Sequence, residues 1–103
     1  MREIHRLSAK DAHAAIAGGE ISAAELTEAC LDRIRARDGT IGAWVHLDEA
    51  FARWQAAAAD EALKAGRAAG PLHGVPVGSK DIIDTADLPT ENGTPVFAGR
   101  RPD

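Results

Sequence analysis

Apolar residues in the first two-thirds of the chain recur at helical spacing, and polar capping residues punctuate them. Leu26, Cys30 and Ile34 fall at i, i+4 and i+8, so they share one stripe of a helix. Ser22 precedes them with Glu25 three positions on, the pairing of a capping box. A helix is predicted from there to about Arg37, with Glu25 and Glu28 near its positive end and Arg33, Arg35 and Arg37 near its negative end. Asp38-Gly39 is expected to break it. A shorter helix is predicted from Ser8, with Asp11 as an acidic variant of the capping box, to about Ala17, stopping at Gly18-Gly19. Asp48 can cap a third helix over about 49–68. Its expected apolar face is Phe51, Trp54, Ala58 and Ala62, and Gly70-Pro71 ends it.

The pattern changes between and after these helices. Residues 43–47 alternate, with Ala43, Val45 and Leu47 on one side and Trp44 and His46 on the other, which predicts a short strand. Residues 75–80 read as a second extended segment, and Pro76 confines it to an edge or to irregular pairing. Residues 84–103 read as a long loop, unusual in a free-standing domain and expected of a functional segment or an incomplete fold. The expected fold is therefore mainly α-helical, with one or two short strands and an extended C-terminal tail.

Composition sharpens this picture. With 103 residues the chain has room for one small domain. Its hydrophobic fraction is 45%, but much of that is alanine, and only two Trp and two Phe are present to anchor a core. A chain of this kind is expected to pack against something else. The 12 basic and 16 acidic residues give a formal net charge of -4. That balance argues against a nucleic-acid binder driven by phosphate contacts and against a polybasic membrane-surface protein. Cys30 is alone, so no internal disulfide is available, and its helix stripe favours inert packing. The sequence shows no secretory signal and no apolar run long enough to span a membrane, so a cytoplasmic location is expected.

The residues with chemical potential lie in a glycine-rich, apolar approach to one lysine, from Gly70 through Val75 and Val77 to Lys80. A lysine delivered by a buried strand is costly unless it is paired or neutral. A free lysine has a pKa near about 10.4, and lowering it by about three units costs roughly 4 kcal/mol, which desolvation can supply. Lys80 thus reads either as a base or as a surface lysine ending a strand, and its neighbours alone do not separate the two. A phosphate-binding loop is excluded, because the spacing from Gly74 to Gly78 is too short and Ser79 precedes Lys80. Asp81, Asp84 and Asp87 lack the ligand pattern of a calcium loop and are expected to cap turns. His5, His13, His46 and His73 lack zinc spacing, so no metal site is expected. The nucleophile-elbow pattern is absent, and Ser8 and Ser22 are accounted for as caps.

The run GPLHGVPVGSKDIIDTADLPT resembles the amidase-signature family closely, most specifically at Gly74-Val75-Pro76 and Lys80-Asp81. LSAKDAHAAIAGGEISAAELTEACLDRI and GTPVFAGRRPD resemble it too, so the likeness covers nearly the whole chain in collinear order. It implies an α/β fold with a mixed central sheet, and a Ser–cis-Ser–Lys triad in which Lys80 is the lysine. It implies hydrolysis of C–N bonds in small-molecule amides through an acyl-enzyme, with no cofactor. Both serines of the triad belong to a glycine- and serine-rich segment downstream in relatives. Residues 1–103 are therefore expected to be the N-terminal portion of an incomplete domain, inactive without its C-terminal portion. Ser79 departs from the apolar residue expected there. Two other readings stand beside an amidase. One is an amidotransferase component that releases ammonia from glutamine for transfer to mischarged tRNA. The other is a non-enzymatic module that pairs with itself or with another protein.

Overall fold

The structure is a computed structural model that describes residues 3–68, 70–97 and 99–101. Three helices, α1 (Ala9–Ala17), α2 (Ala23–Ile41) and α3 (Glu49–Lys64), are followed by irregular chain. Single 3-10 turns lie before α1 (Ile4–Arg6) and in the tail (Pro95–Phe97).

Each helix starts where its capping residue dictates. Ser8 accepts from Asp11 N–H at 3.1 Å, and Asp48 accepts from Phe51 N–H at 3.0 Å. The capping box at α2 is complete, with Glu25 N–H to Ser22 Oγ at 2.9 Å and Ser22 N–H to Glu25 Oε1 at 3.1 Å. The N–H groups between them are also satisfied, by a residue distant in sequence. Asp60 on α3 accepts from Ala23 N–H at 2.7 Å and from Ala24 N–H at 3.0 Å. One carboxylate thus answers the positive end of α2 and fixes α2 against α3.

The helix ends differ from the sequence expectation for identifiable reasons. α1 closes as expected, with Gly19 at φ 78 and Glu20 N–H bonded to Ala15 O at 2.9 Å. α2 runs through Asp38-Gly39 to Ile41, because the left-handed stop is Gly42 at φ 67. Asp38, expected to break the helix, instead staples its end. Its carboxylate accepts from Ala43 N–H at 2.7 Å and from Trp44 N–H at 3.2 Å. α3 stops at Lys64, short of residue 68. Gly66 (φ 73) turns the chain there, with Gly66 N–H to Leu63 O at 3.1 Å and Arg67 N–H to Ala62 O at 2.8 Å.

The core lies where α1 and α2 meet. Ala12, Ile16 and Leu26 form its buried centre, with Ile4, Leu7, Ile21, Cys30, Leu63 and Val75 packed around them. The small residues let the backbones approach closely. Gly74 (φ 82) passes so near that a Cβ would lie 3.2 Å from Ala23 Cβ and 3.3 Å from Ile16 Cδ1. The buried side of α3 is rotated from the expected face. Ala56 is buried, with Ala52, Ala59 and Leu63 partly so; of the expected face Phe51 and Ala62 are partly buried, but Ala58 is exposed and Trp54, 66% exposed, stacks on Phe51. Ion pairs join the outer faces of α2 and α3, with Arg35 to Glu49 at 2.5 Å and Arg53 to Glu28.

The expected strands do not form. Residues 43–47 and 75–80 are irregular, and no strand occurs among the described residues. The two segments do approach each other, since a Cβ on Gly78 would lie 3.1 Å from the Trp44 ring. Pro76 offers no N–H, and two isolated strands without a third are marginal in water. No helix among the described residues is long and apolar enough to cross a membrane.

Asp60→Ala leaves two helical N–H groups without an acceptor. The expected loss is about 1–3 kcal/mol of stability, read as a lower urea midpoint. An unchanged midpoint would show that water replaces the carboxylate without penalty.

Candidate active site

Lys80 is exposed and lies in irregular chain, where a buried strand was expected. Its ammonium group makes no hydrogen bond or ion pair with any described residue. It borders an open cavity of about 320 Å³, shared with Trp44, His46, Ile82, Leu88 and Asn92. One wall is the α2–α3 connection, which Asp38 and Asp48 hold at its two ends. Ser79 and Lys80 form a second wall, and the tail closes the third side.

That tail is folded back on itself, not extended, and its acidic side chains do the folding. Asp81 Oδ1 accepts from Glu91 N–H at 2.9 Å, and Asp81 Oδ2 from Gly93 N–H at 3.3 Å. The Asp81 carbonyl accepts from Asn92 N–H at 2.8 Å. The residue next to Lys80 therefore closes a loop that returns 10 positions later in sequence. Thr90, 1% exposed, donates its hydroxyl to Ile83 O at 3.2 Å and its N–H to Arg100 O at 2.7 Å. Asp84 pairs with Arg100 at 2.9 Å. Asp81 thus caps a turn as expected, whereas Asp84 makes a distant ion pair instead of capping a turn. Asp87 contributes its carbonyl to Arg101 at 3.4 Å.

The remaining sequence candidates fall elsewhere. Ser8 and Ser22 are helix caps, and Ser79 is exposed beside Lys80. Cys30 is half-buried, and burial pushes its thiol up, which keeps it protonated and unreactive. It lines a second, apolar groove of about 410 Å³ between α2, α3 and Val77. His73 sets its Nε2 2.8 Å from Ala59 O. Among the described residues no three His, Cys, Asp or Glu side chains gather as a metal site. Sequence reading missed two contacts near Lys80: the Asp81 closure, and the approach of His46 Nε2 to Glu91 Oε1 at 3.2 Å. Both join residues far apart in sequence, and no local pattern encodes them.

The sequence model of the Amidase family matches residues 25–103, a span that includes most of α2, all of α3, Lys80 and the returning tail. The chain belongs to the amidase family. Nearly the whole of this amidase-family chain is also similar to the A component of glutamyl-tRNA(Gln) amidotransferase from several bacteria. The Chloroflexus aurantiacus protein is 49% identical over 102 residues, covering 99% of this chain and 21% of its own length. The Thermobifida fusca protein is 46% identical over 99 residues, covering 96% and 20% respectively. That of Streptomyces coelicolor is 42% identical over 99 residues, covering 96% and 20%. This chain thus spans about a fifth of the length of the curated relatives it matches. No solved structure matches it.

The Asp84–Arg100 pair gives the tail an acid limit. The Arg100 guanidinium holds the Asp84 carboxyl below the usual carboxylate range. The unfolded chain then takes up the proton more readily than the folded one. The contribution is complete above about pH 4, the ordinary Asp value, and is lost as pH falls through the lower folded value. Tail amides such as Thr90 N–H should lose protection from hydrogen exchange over that acid range. Asp84→Asn should weaken protection at neutral pH and remove this contribution to the acid dependence. Salt should shrink the effect, because the pair is exposed.

Proposed function

We propose that this chain is the lysine-bearing N-terminal part of an enzyme that hydrolyses amide C–N bonds. The observation that carries the reading is the unpaired Lys80 on the cavity wall, inside the segment that matches the amidase family. In the triad that the resemblance implies, Lys80 takes a proton, by way of a bridging serine, from the serine that attacks the amide carbonyl. It then helps return a proton to the departing amine. Both serines come from sequence outside residues 1–103. The amine has to be unprotonated to act, so further protein must cover this cavity and shut out water. In the whole protein, residues 43–47 and 75–80 become strands of an α/β sheet. Their approach at one point, Gly78 against the Trp44 ring, supports that reading.

The names of the similar proteins favour a more specific form of the same chemistry. These relatives are components of a glutamyl-tRNA(Gln) amidotransferase. On that reading the amide is glutamine's, the released ammonia passes onward, and the partners are the other components of such an assembly.

The test is hydrolysis by the enzyme that contains this segment together with its C-terminal portion. Lys80→Ala should lower kcat/KM by roughly 10²–10⁴-fold with little change in KM, the size expected for loss of a general base. Full activity in that variant would refute the role. Assaying ammonia release from glutamine beside a simple aliphatic amide separates the two forms of the chemistry.

A further inference from the structure

Asn92 is the only asparagine in the 103 residues, and Gly93 follows it. Its φ of 54 lies in the left-handed region, which Asn tolerates better than most residues. Its carboxamide is exposed on the wall of the Lys80 cavity, where no described residue hydrogen-bonds to it. The backbone around it is held by one residue. Asp81 Oδ1 accepts from Glu91 N–H at 2.9 Å, the Asp81 carbonyl from Asn92 N–H at 2.8 Å, and Asp81 Oδ2 from Gly93 N–H at 3.3 Å. A side-chain carboxamide followed by glycine is open to attack by the next backbone nitrogen, because glycine has no Cβ to obstruct the approach.

We propose that Asn92-Gly93 is a self-modification site that Asp81 holds in check. In the reaction the Gly93 nitrogen gives up its proton and bonds to Asn92 Cγ, and the carboxamide nitrogen leaves as ammonia. Water then opens the resulting five-membered imide at either of its carbonyls. One opening leaves an aspartate with an ordinary main chain. The other leaves isoaspartate, whose main chain runs through the former side chain and is lengthened by a carbon. Asp81 opposes the first step twice. An amide nitrogen is a poor nucleophile until it loses its proton, and the carboxylate beside it disfavours the anion. The nitrogen must also swing towards Cγ about the Asn92 ψ bond, which takes its N–H off Asp81 Oδ2. Either product places a carboxylate on the wall of the cavity that Lys80 borders. Isoaspartate in addition cannot keep the Glu91, Asn92 and Gly93 N–H groups in register with Asp81, so the loop after Lys80 opens and does not reclose.

The reaction does not depend on the proposed hydrolysis, and the 103-residue chain itself tests it. The chain is kept for days at mildly alkaline pH, folded in buffer or unfolded in guanidinium. The peptide carrying Asn92 is followed by its mass and its isoaspartate content. The unfolded chain should convert, and the folded chain should convert roughly tenfold more slowly. Asp81→Ala should bring the folded rate close to the unfolded one. Asp84→Ala, which breaks the pair with Arg100 but leaves the Gly93 contact, should keep the rate of the unmodified chain. In the isoaspartate product the Glu91 and Gly93 amides should lose protection from hydrogen exchange while α2 amides keep theirs. An unfolded chain that does not convert overturns the site. A folded chain that converts as fast as the unfolded one, or equal acceleration by the two Ala variants, overturns the restraint by Asp81. If Asp81→Ala also loses protection in α2, Asp81→Glu, which keeps a carboxylate, decides the matter: conversion there at the unfolded rate overturns the proposal, and slow conversion upholds it.

Discussion

The carboxylate of Asp60 is the constraint on which the arrangement rests. It accepts from the N–H groups of Ala23 and Ala24, so α3 is tied to the start of α2 and not merely stacked on its side. Ala23 is fully buried at that point, where water could not easily replace the carboxylate. With both helices fixed, the connection between them has a defined course. Asp38 and Asp48 pin its ends, and Trp44 is carried to the place where Gly78 crosses. The position of Lys80, two residues after Gly78, therefore follows from a hydrogen bond made at the opposite end of the hairpin.

The same logic runs through the rest of the chain, because the apolar core is small. Its fully buried large side chains are Ile16 and Thr90, and one of those is polar. Hydrophobic burial of about 25 cal/mol per Å² cannot alone order so alanine-rich a chain against its conformational entropy. Acidic side chains bonded to backbone N–H groups take over part of that work. Asp60 does so for α2, Asp38 for the connection, Asp81 for the loop after Lys80, and Glu91 for Gly99. The acidic excess, which argues against a nucleic-acid binder, thus has a structural use as well. The large apolar side chains left outside lie mostly after residue 40, including Val77 at 79% and Val96 at 83% exposure. They surround the segment that carries Lys80, as a surface to be covered by more protein would.

What the sequence made legible was whatever local chemistry decides. Ser8, Ser22 and Asp48 announced three helices, and each begins one residue after its cap. Helix ends were harder to read, because they depend on which glycine reaches the left-handed conformation. Gly39 and Gly42 look alike in sequence, but only Gly42 adopts it. The apolar face of α3 was misjudged because alanines outnumber large residues on it. The face that packs is set by where α2 lies, not by where Trp54 falls. The strands at 43–47 and 75–80 illustrate the opposite failure. Their alternation is real, but a strand is a property of pairing, and the pairing partners are not supplied by these residues.

The site shows the same division. Lys80 stands out from its neighbours and its family likeness, and the structure sets it on a cavity wall. Its environment was not legible, since burial of an amine depends on everything packed around it. The proposed catalytic role asks for a fixed loop and a dry amine, and the described residues supply only the first. Asp81 fixes the loop after Lys80 by accepting from the Glu91 and Gly93 N–H groups, 10 and 12 positions on in sequence. Drying the amine is a different task, which needs apolar mass on the open side. The exposed Ile82 and Ile83 line that opening, Val77 lines the neighbouring groove, and together they offer the surface on which such mass would seat. The course of the loop after Lys80 is thus set by contacts among residues 81–93, whereas the dry surroundings that the proposed role requires call for apolar surface packed against the opening.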